Sequence, residues 1–139
     1  MNILVVILKK NMEQLQLREK EIFETLKKIS KHKFVIIGGY SVNAYTFPRF
    51  SVDCDVVVLN YKESDKISDD LIRLGYKKIN NISRNSYGNF KRYEKEIAPN
   101  FKVSIDILIK EVLDRQTNTT FLAQWIFENS KLRNLKGKT

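Results

Sequence analysis

The chain has 139 residues, a formal charge of +9 and a hydrophobic fraction of 42%. This size and composition predict one globular domain over residues 1–139, without repeats or low-complexity segments. The charge favours an anionic partner such as nucleic acid, a nucleotide or an acidic membrane, but a basic solvated surface explains it equally well. The single cysteine, Cys54, excludes an intrachain disulfide and fits a reducing cytoplasm. No apolar run reaches the ~20 residues of a membrane span.

The first predicted element is an amphipathic helix over residues 11–31, where apolar residues recur at helical spacing. The apolar opening ahead of it predicts a short additional strand or a leader before Met12, and it lacks the features of a signal peptide. A buried strand over residues 34–37 then ends at Gly38 and Gly39.

The middle of the chain predicts a short helix over residues 40–47, ended by Pro48, and a strand over residues 52–59. That strand is apolar apart from Asp53 and Asp55, which indicates burial on both faces. A helix over 61–74 follows, capped by Ser64 or Asp65 and ended by Gly75, and then a short strand over 76–82. An outer strand over 89–97 and a strand over 101–109 form a predicted hairpin. The last predicted element is a helix over about 119–133, and its buried side consists of Phe121, Leu122, Trp125 and Ile126.

Three carboxylates are candidates for a metal site. Asp53 and Asp55 are two residues apart on a strand, so both side chains point to the same side of the sheet. Burying two carboxylates together is costly, and a divalent cation offsets that cost. Asp106 is the only acid on the polar face of strand 101–109, and it would join them if that strand lies beside strand 52–59. Oxygen ligands of this kind suit Mg²⁺ or Mn²⁺ bound with substrate phosphates, as in two-metal phosphoryl transfer.

A glycine turn supplies the second half of the predicted site. Gly38 and Gly39 allow the backbone to approach a phosphate, and the helix that follows presents free N–H groups. Ser41 can donate a hydroxyl to the same phosphate or cap the helix, and Arg49 can neutralise charge on a triphosphate.

Each of these motifs has an ordinary structural explanation when it is taken alone. A Gly-Gly pair usually marks a turn, a D-x-D pair is common, and Asp106 could be a surface strand residue. Glu94 and Glu96 are also two residues apart, and we interpret them as solvated. The ordered combination of a glycine turn, a D-x-D strand and a later acidic strand is much more specific.

Residues 33–110 carry a pattern that resembles the DNA-polymerase-β-like nucleotidyltransferase superfamily, especially the minimal nucleotidyltransferases of prokaryotes and the abortive-infection toxins of toxin–antitoxin pairs. The matching motifs are GGYS (Gly38, Gly39, Ser41), RFSVDCD (Arg49, Ser51, Asp53, Asp55) and SID (Ser104, Ile105, Asp106). The resemblance implies an α+β fold with a central mixed sheet flanked by helices. It also implies Mg²⁺-dependent transfer of a nucleoside monophosphate from an NTP such as ATP to a hydroxyl on an RNA end or a protein.

The resemblance assigns roles to these residues. Asp53 and Asp55 would hold both metal ions, and Asp106 would complete one metal site and help to activate the acceptor hydroxyl. Gly38, Gly39 and Ser41 would hold the triphosphate. Larger members carry an additional helical domain, so base and acceptor specificity would here come from a partner chain such as an antitoxin or helical subunit, come from a homodimer, or be absent. The single cysteine and the lack of a long apolar run predict a cytoplasmic protein away from membranes.

Two other functions remain open at this point. The first is an inactive nucleotide- or RNA-binding module, and the second is a basic subunit that docks an acidic protein. The candidate contact residues of the binding module are Lys77, Lys78, Arg84, Lys91 and Arg92. Lys91, Arg92 and Lys95 could instead form a solvated strand edge that discourages aggregation.

Overall fold

The computed structural model describes residues 3–37, 53–80, 89–114 and 117–130. The predicted helix over 40–47 lies outside these residues. In chain order the elements are α1 (Ile3–Lys28), β1 (Val35–Ile37), β2 (Asp53–Val58), α2 (Tyr61–Arg73), β3 (Lys77–Ile79), β4 (Asn89–Ala98), β5 (Phe101–Ile109), β6 (Glu111–Asp114), β7 (Thr119–Leu122) and α3 (Ala123–Asn129).

The main sheet has five strands in the order β1-β2-β5-β4-β3. The pair β2–β5 is parallel, and the other neighbours in this sheet are antiparallel. A second sheet pairs β6 with β7. The predicted α+β class with a mixed sheet is therefore confirmed, and β5 lies beside β2 at the centre of the sheet.

The larger part of the core fills the space between one face of the main sheet and the helices α1 and α2. It includes Ile22, Leu26 and Ile29 of α1 and Ile67 and Leu71 of α2, packed with Cys54, Val56, Ile105 and Ile107 of the central strands. A smaller cluster on the opposite face joins Val57, Leu108 and Ala123. Because β5 is covered on both faces, its residues from 103 to 109 are all buried.

Three predicted elements were wrong in extent or position. The opening of the chain is helical rather than a strand, since α1 runs from Ile3 without a Gly or Pro to interrupt it. The strand β4 is not the outer strand of the sheet, because β3 pairs with its free side. The cap of α2 is Asn60, whose side chain accepts a hydrogen bond from the Glu63 N–H, rather than Ser64 or Asp65.

The last predicted helix was also wrong, since its first four residues form β7 and only Ala123–Asn129 is helical. The predicted buried side fails at two positions, because Leu122 is 61% exposed and Trp125 is 52% exposed. The β-branched residues Thr119 and Thr120 favour the extended conformation that pairs with β6. None of the described helices is long and apolar enough to cross a membrane.

Candidate active site

The candidate site lies on the face of the sheet that is opposite α1 and α2, where the three inner strands run side by side. Asp55 of β2 is the register partner of Asp106 of β5, and Asp106 is in turn the partner of Arg92 of β4. Directly opposed residues on neighbouring strands share a face, with about 4.8 Å between strands. Two carboxylates and one guanidinium therefore form a single row across the sheet.

Asp53 lies one step further along the same face of β2. Its backbone is the register partner of Ser104, two residues before Asp106. The side chain of Asp53 lies outside the described residues, as do Gly38, Gly39, Ser41 and Arg49. The structure thus brings together two of the three predicted carboxylates as strand neighbours, and it fixes only the backbone of the third.

The strand β1 connects this row to the glycine turn along the chain. Its last residue, Ile37, is the register partner of Asp55. Gly38 follows Ile37 directly in the sequence. The chain therefore enters the Gly-Gly pair from a position beside the first carboxylate of the row.

Arg92 grips Asp106 with two parallel hydrogen bonds. Arg92 Nε donates to Asp106 Oδ1 at 2.8 Å, and Arg92 Nη2 donates to Oδ2 at 2.9 Å. Asp106 is 0% exposed, whereas the Arg92 side chain is 23% exposed. A carboxylate that is fully removed from water needs a compensating positive charge, and this planar fork is the strongest form that a side chain can offer.

The other basic residues of β4 point to the opposite face and have partners there. Lys91 Nζ donates to Asp65 Oδ1 at 3.2 Å, and Lys95 Nζ donates to Glu21 Oε2 at 3.3 Å. The interpretation of Lys91, Arg92 and Lys95 as a solvated strand edge is therefore wrong. Each of these three side chains forms an ion pair, and β4 is not an edge strand of the sheet.

Apolar residues border the charged row on the same face. Phe90, Leu108 and Val57 occupy the next positions along β4, β5 and β2, where they pack with Ala123 and other residues of the C-terminal segment. This packing excludes water from one side of the row. Charges in the row therefore interact in a medium of lower dielectric constant than bulk water.

The donor chemistry of the row fits a hard divalent cation. Carboxylate oxygens are the ligands that Mg²⁺ and Mn²⁺ prefer, and a carboxylate offers about four acceptor positions, more than the two N–H groups of Arg92 occupy. Among the side chains that the structure describes, no group of three or more His, Cys, Asp or Glu is placed to hold a metal ion. The side chain of Asp53, the third predicted ligand, is not among those.

Sequence reasoning did not identify Arg92 as a partner of Asp106. An uninterrupted hairpin in the register of the pair Ala98 and Phe101 would place Ile107 opposite Arg92. The register shifts between Glu96 and Ala98, and this bulge places Asp106 there instead. The available signal was the positive charge of Arg92 on the strand predicted to pair with β5. The sequence does not show the register between these two strands, so it does not show which residue of β5 lies opposite Arg92.

Comparison with known proteins adds no assignment to this geometry, since no protein-family model matches the chain and no curated protein is significantly similar to it.

Proposed function

We propose that this protein is a metal-dependent nucleotidyltransferase that moves a nucleoside monophosphate from an NTP to a hydroxyl group on an RNA end or a protein. The observation that supports this function is the pairing of Asp55 and Asp106 on adjacent parallel strands, facing the same side of the sheet. Two acids from distant parts of the sequence meet in a partly dry row, beside the strand that leads into the Gly-Gly turn. The motif resemblance supports the same reaction. It also supports a partner, which is an antitoxin, a helical subunit or a second copy of this chain.

In this proposal the three carboxylates, Asp53, Asp55 and Asp106, hold Mg²⁺ or Mn²⁺. The bound cation supplies charge neutralisation of the triphosphate and makes the acceptor hydroxyl easier to deprotonate. Asp55 and Asp106 fix where the α-phosphate and the hydroxyl meet, because both project from rigid inner strands. Gly38, Gly39 and Ser41 hold the phosphates that leave as pyrophosphate.

The test is label transfer from each of the four NTPs, with Mg²⁺ present and with bulk tRNA or a co-encoded protein as acceptor. A label on the α-phosphate should appear in the acceptor, and a label on the γ-phosphate should not, because the γ-phosphate leaves with pyrophosphate. Asp55→Asn and Asp106→Asn should each reduce transfer by about 100-fold or more. Asp69→Asn is the matched control, since it removes an exposed acid of α2 away from this face.

The proposal fails if no acceptor is labelled, or if Asp55→Asn transfers label as fast as the unmodified protein. Transfer of the γ-label would indicate a kinase reaction instead. Equal losses in Asp69→Asn and Asp55→Asn would show that the losses do not report on this row.

A second candidate function is a nucleotide- or RNA-binding module without turnover. The contact between Arg92 and Asp106 favours it, since the buried carboxylate already has a cationic partner. Of the contact residues predicted for such a module, Lys77 and Lys78 are exposed in the structure. Nucleotide binding without label transfer, with RNA affinity that falls steeply as salt rises, would select this function.

A further inference from the structure

Asp106 is the buried member of the carboxylate row. It is fully buried on a strand that is covered on both faces, and its neighbour in the row is a second carboxylate, Asp55. Two ionised carboxylates at this separation repel each other. A positive charge beside the row therefore stabilises it.

Arg92 supplies that positive charge, and it contacts the same two oxygens of Asp106 that a metal ion would use. Both oxygens of Asp106 accept hydrogen bonds from its guanidinium, at 2.8 and 2.9 Å. The Arg92 side chain is 23% exposed, so it already borders solvent on one side. Glu94 lies two residues along β4 on the same face, and its present partner, Lys102 Nζ, is 3.9 Å away, so a displaced guanidinium has an acceptor nearby.

We propose that Arg92 is an internal counter-cation of the carboxylate row, which holds Asp106 in the metal-free protein and competes there with the divalent cation. This inference rests on the proposed function, because it assumes that Asp55 and Asp106 bind the metal. It makes Arg92 a positioning residue that also sets the metal affinity: two positive charges share one buried carboxylate, and each weakens the binding of the other.

A purely structural ion pair makes the opposite prediction. If Arg92 only held Asp106 in place, its removal would release the carboxylate and weaken metal binding. If Arg92 competes with the metal, its removal strengthens metal binding and makes the stability of the protein depend on the metal. The direction of the change in affinity therefore separates the two roles.

The experiment measures Mn²⁺ binding to the full chain by the loss of the electron paramagnetic resonance signal of free Mn²⁺. We expect Arg92→Gln to lower the dissociation constant for Mn²⁺ by about tenfold or more. Arg92→Lys keeps the charge but loses the fork, and it should fall between Arg92→Gln and the unmodified protein. Lys91→Gln is the matched control, since it removes one positive charge from the opposite face of β4 and should change the constant by less than about twofold.

Thermal unfolding gives the second measurement. Arg92→Gln should unfold at a lower temperature without metal and recover most of that loss when Mg²⁺ is added, whereas Lys91→Gln should respond to Mg²⁺ as the unmodified protein does. An unchanged or weaker affinity for Mn²⁺ in Arg92→Gln would overturn the inference and leave the nucleotidyltransferase proposal standing. Absence of Mn²⁺ binding in every form would instead refute the metal centre on which both proposals rest.

If Arg92→Gln does not fold, the unmodified protein still tests the inference. The Nε–H resonance of Arg92 is assigned by its loss in Arg92→Lys, and its rate of exchange with water is followed during a Mg²⁺ titration. Faster exchange as Mg²⁺ binds supports displacement of the guanidinium, and unchanged or slower exchange rules it out.

Discussion

Removing either partner of the ion pair between Arg92 and Asp106 should destabilise the metal-free protein, but by different amounts. The changes are Arg92→Gln, Asp106→Asn and the double variant, studied in the presence of a chelator. Arg92→Gln removes the guanidinium that pairs with Asp106, which is 0% exposed and lies beside a second carboxylate, Asp55. Asp106→Asn leaves a guanidinium that is partly exposed to water, and it also removes the repulsion between Asp106 and Asp55.

These differences set the expected magnitudes. Breaking a buried ion pair by removing one partner costs about 3–5 kcal/mol. We place Arg92→Gln near the middle of that range, at about 4 kcal/mol, because the charge left behind has no access to solvent. Asp106→Asn should cost about 2 kcal/mol, since Arg92 is 23% exposed and the repulsion from Asp55 is relieved. The double variant should then be more stable than Arg92→Gln alone.

Urea denaturation checks these values. With a slope near ~2 kcal/mol per M, the midpoint for Arg92→Gln should fall by about 2 M and that for Asp106→Asn by about 1 M. Lys91→Gln is the control, because its partner Asp65 is exposed and the pair is worth less than about 1 kcal/mol. A double variant that is less stable than Arg92→Gln, or equal costs for the two single variants, would refute the reasoning that Arg92 compensates both carboxylates.

Three further predictions concern residues in and next to α2. The hydrogen bond with His32, 2.6 Å from Asp70 Oδ2, holds the pKa of Asp70 below its usual range. The stability that this carboxylate contributes is therefore present above the usual aspartate pKa and is lost as the pH falls through the lowered pKa of Asp70. Asp70→Asn should lower the melting temperature at pH 7 and reduce the fall in melting temperature between neutral and acidic pH. Asn60→Ala should cost about 1 kcal/mol in urea denaturation, because it removes the side-chain cap of α2; no loss would contradict that role. Gly75→Ala should cost about 1–2 kcal/mol, since φ is +97° there, and a neutral result would contradict the strain.

The parts of the fold that could be predicted are those in which a local pattern matches the final environment. Strand β5 has the predicted bounds, Phe101–Ile109, because its alternation of apolar residues reflects a real difference between two faces. Helix α2 was predicted within one residue at its end because Gly75 adopts a positive φ that suits a helix stop. The C-terminal segment was predicted as a helix because Phe121, Leu122, Trp125 and Ile126 have helical spacing. Strand β7 forms there because Thr119–Leu122 pairs with β6, and this pairing is not visible in the segment itself.

The candidate site shows the same division between local and non-local information. The spacing of Asp53 and Asp55 indicates one face of one strand, and the alternation in β5 places Asp106 on the less apolar face of another. The parallel register that pairs Asp55 with Asp106 is a property of the folded sheet. The partner of Asp106 is less predictable still, because one extra residue in β4 decides which side chain of β5 faces Arg92.

That bulge also explains why the row can exist in a central strand. Without it, Arg92 would lie opposite Ile107 and share the face of the main core, where a guanidinium would be buried among Ile22, Leu26 and Ile105. Asp106 would then lie opposite Tyr93, without the guanidinium that grips both of its oxygens. The register shift solves both problems at once, because it removes a charge from the apolar face and places it on the acidic one. Since Arg92 donates to both oxygens of Asp106, a metal ion that binds this row through them would take over the contact that the bulge gives to Arg92.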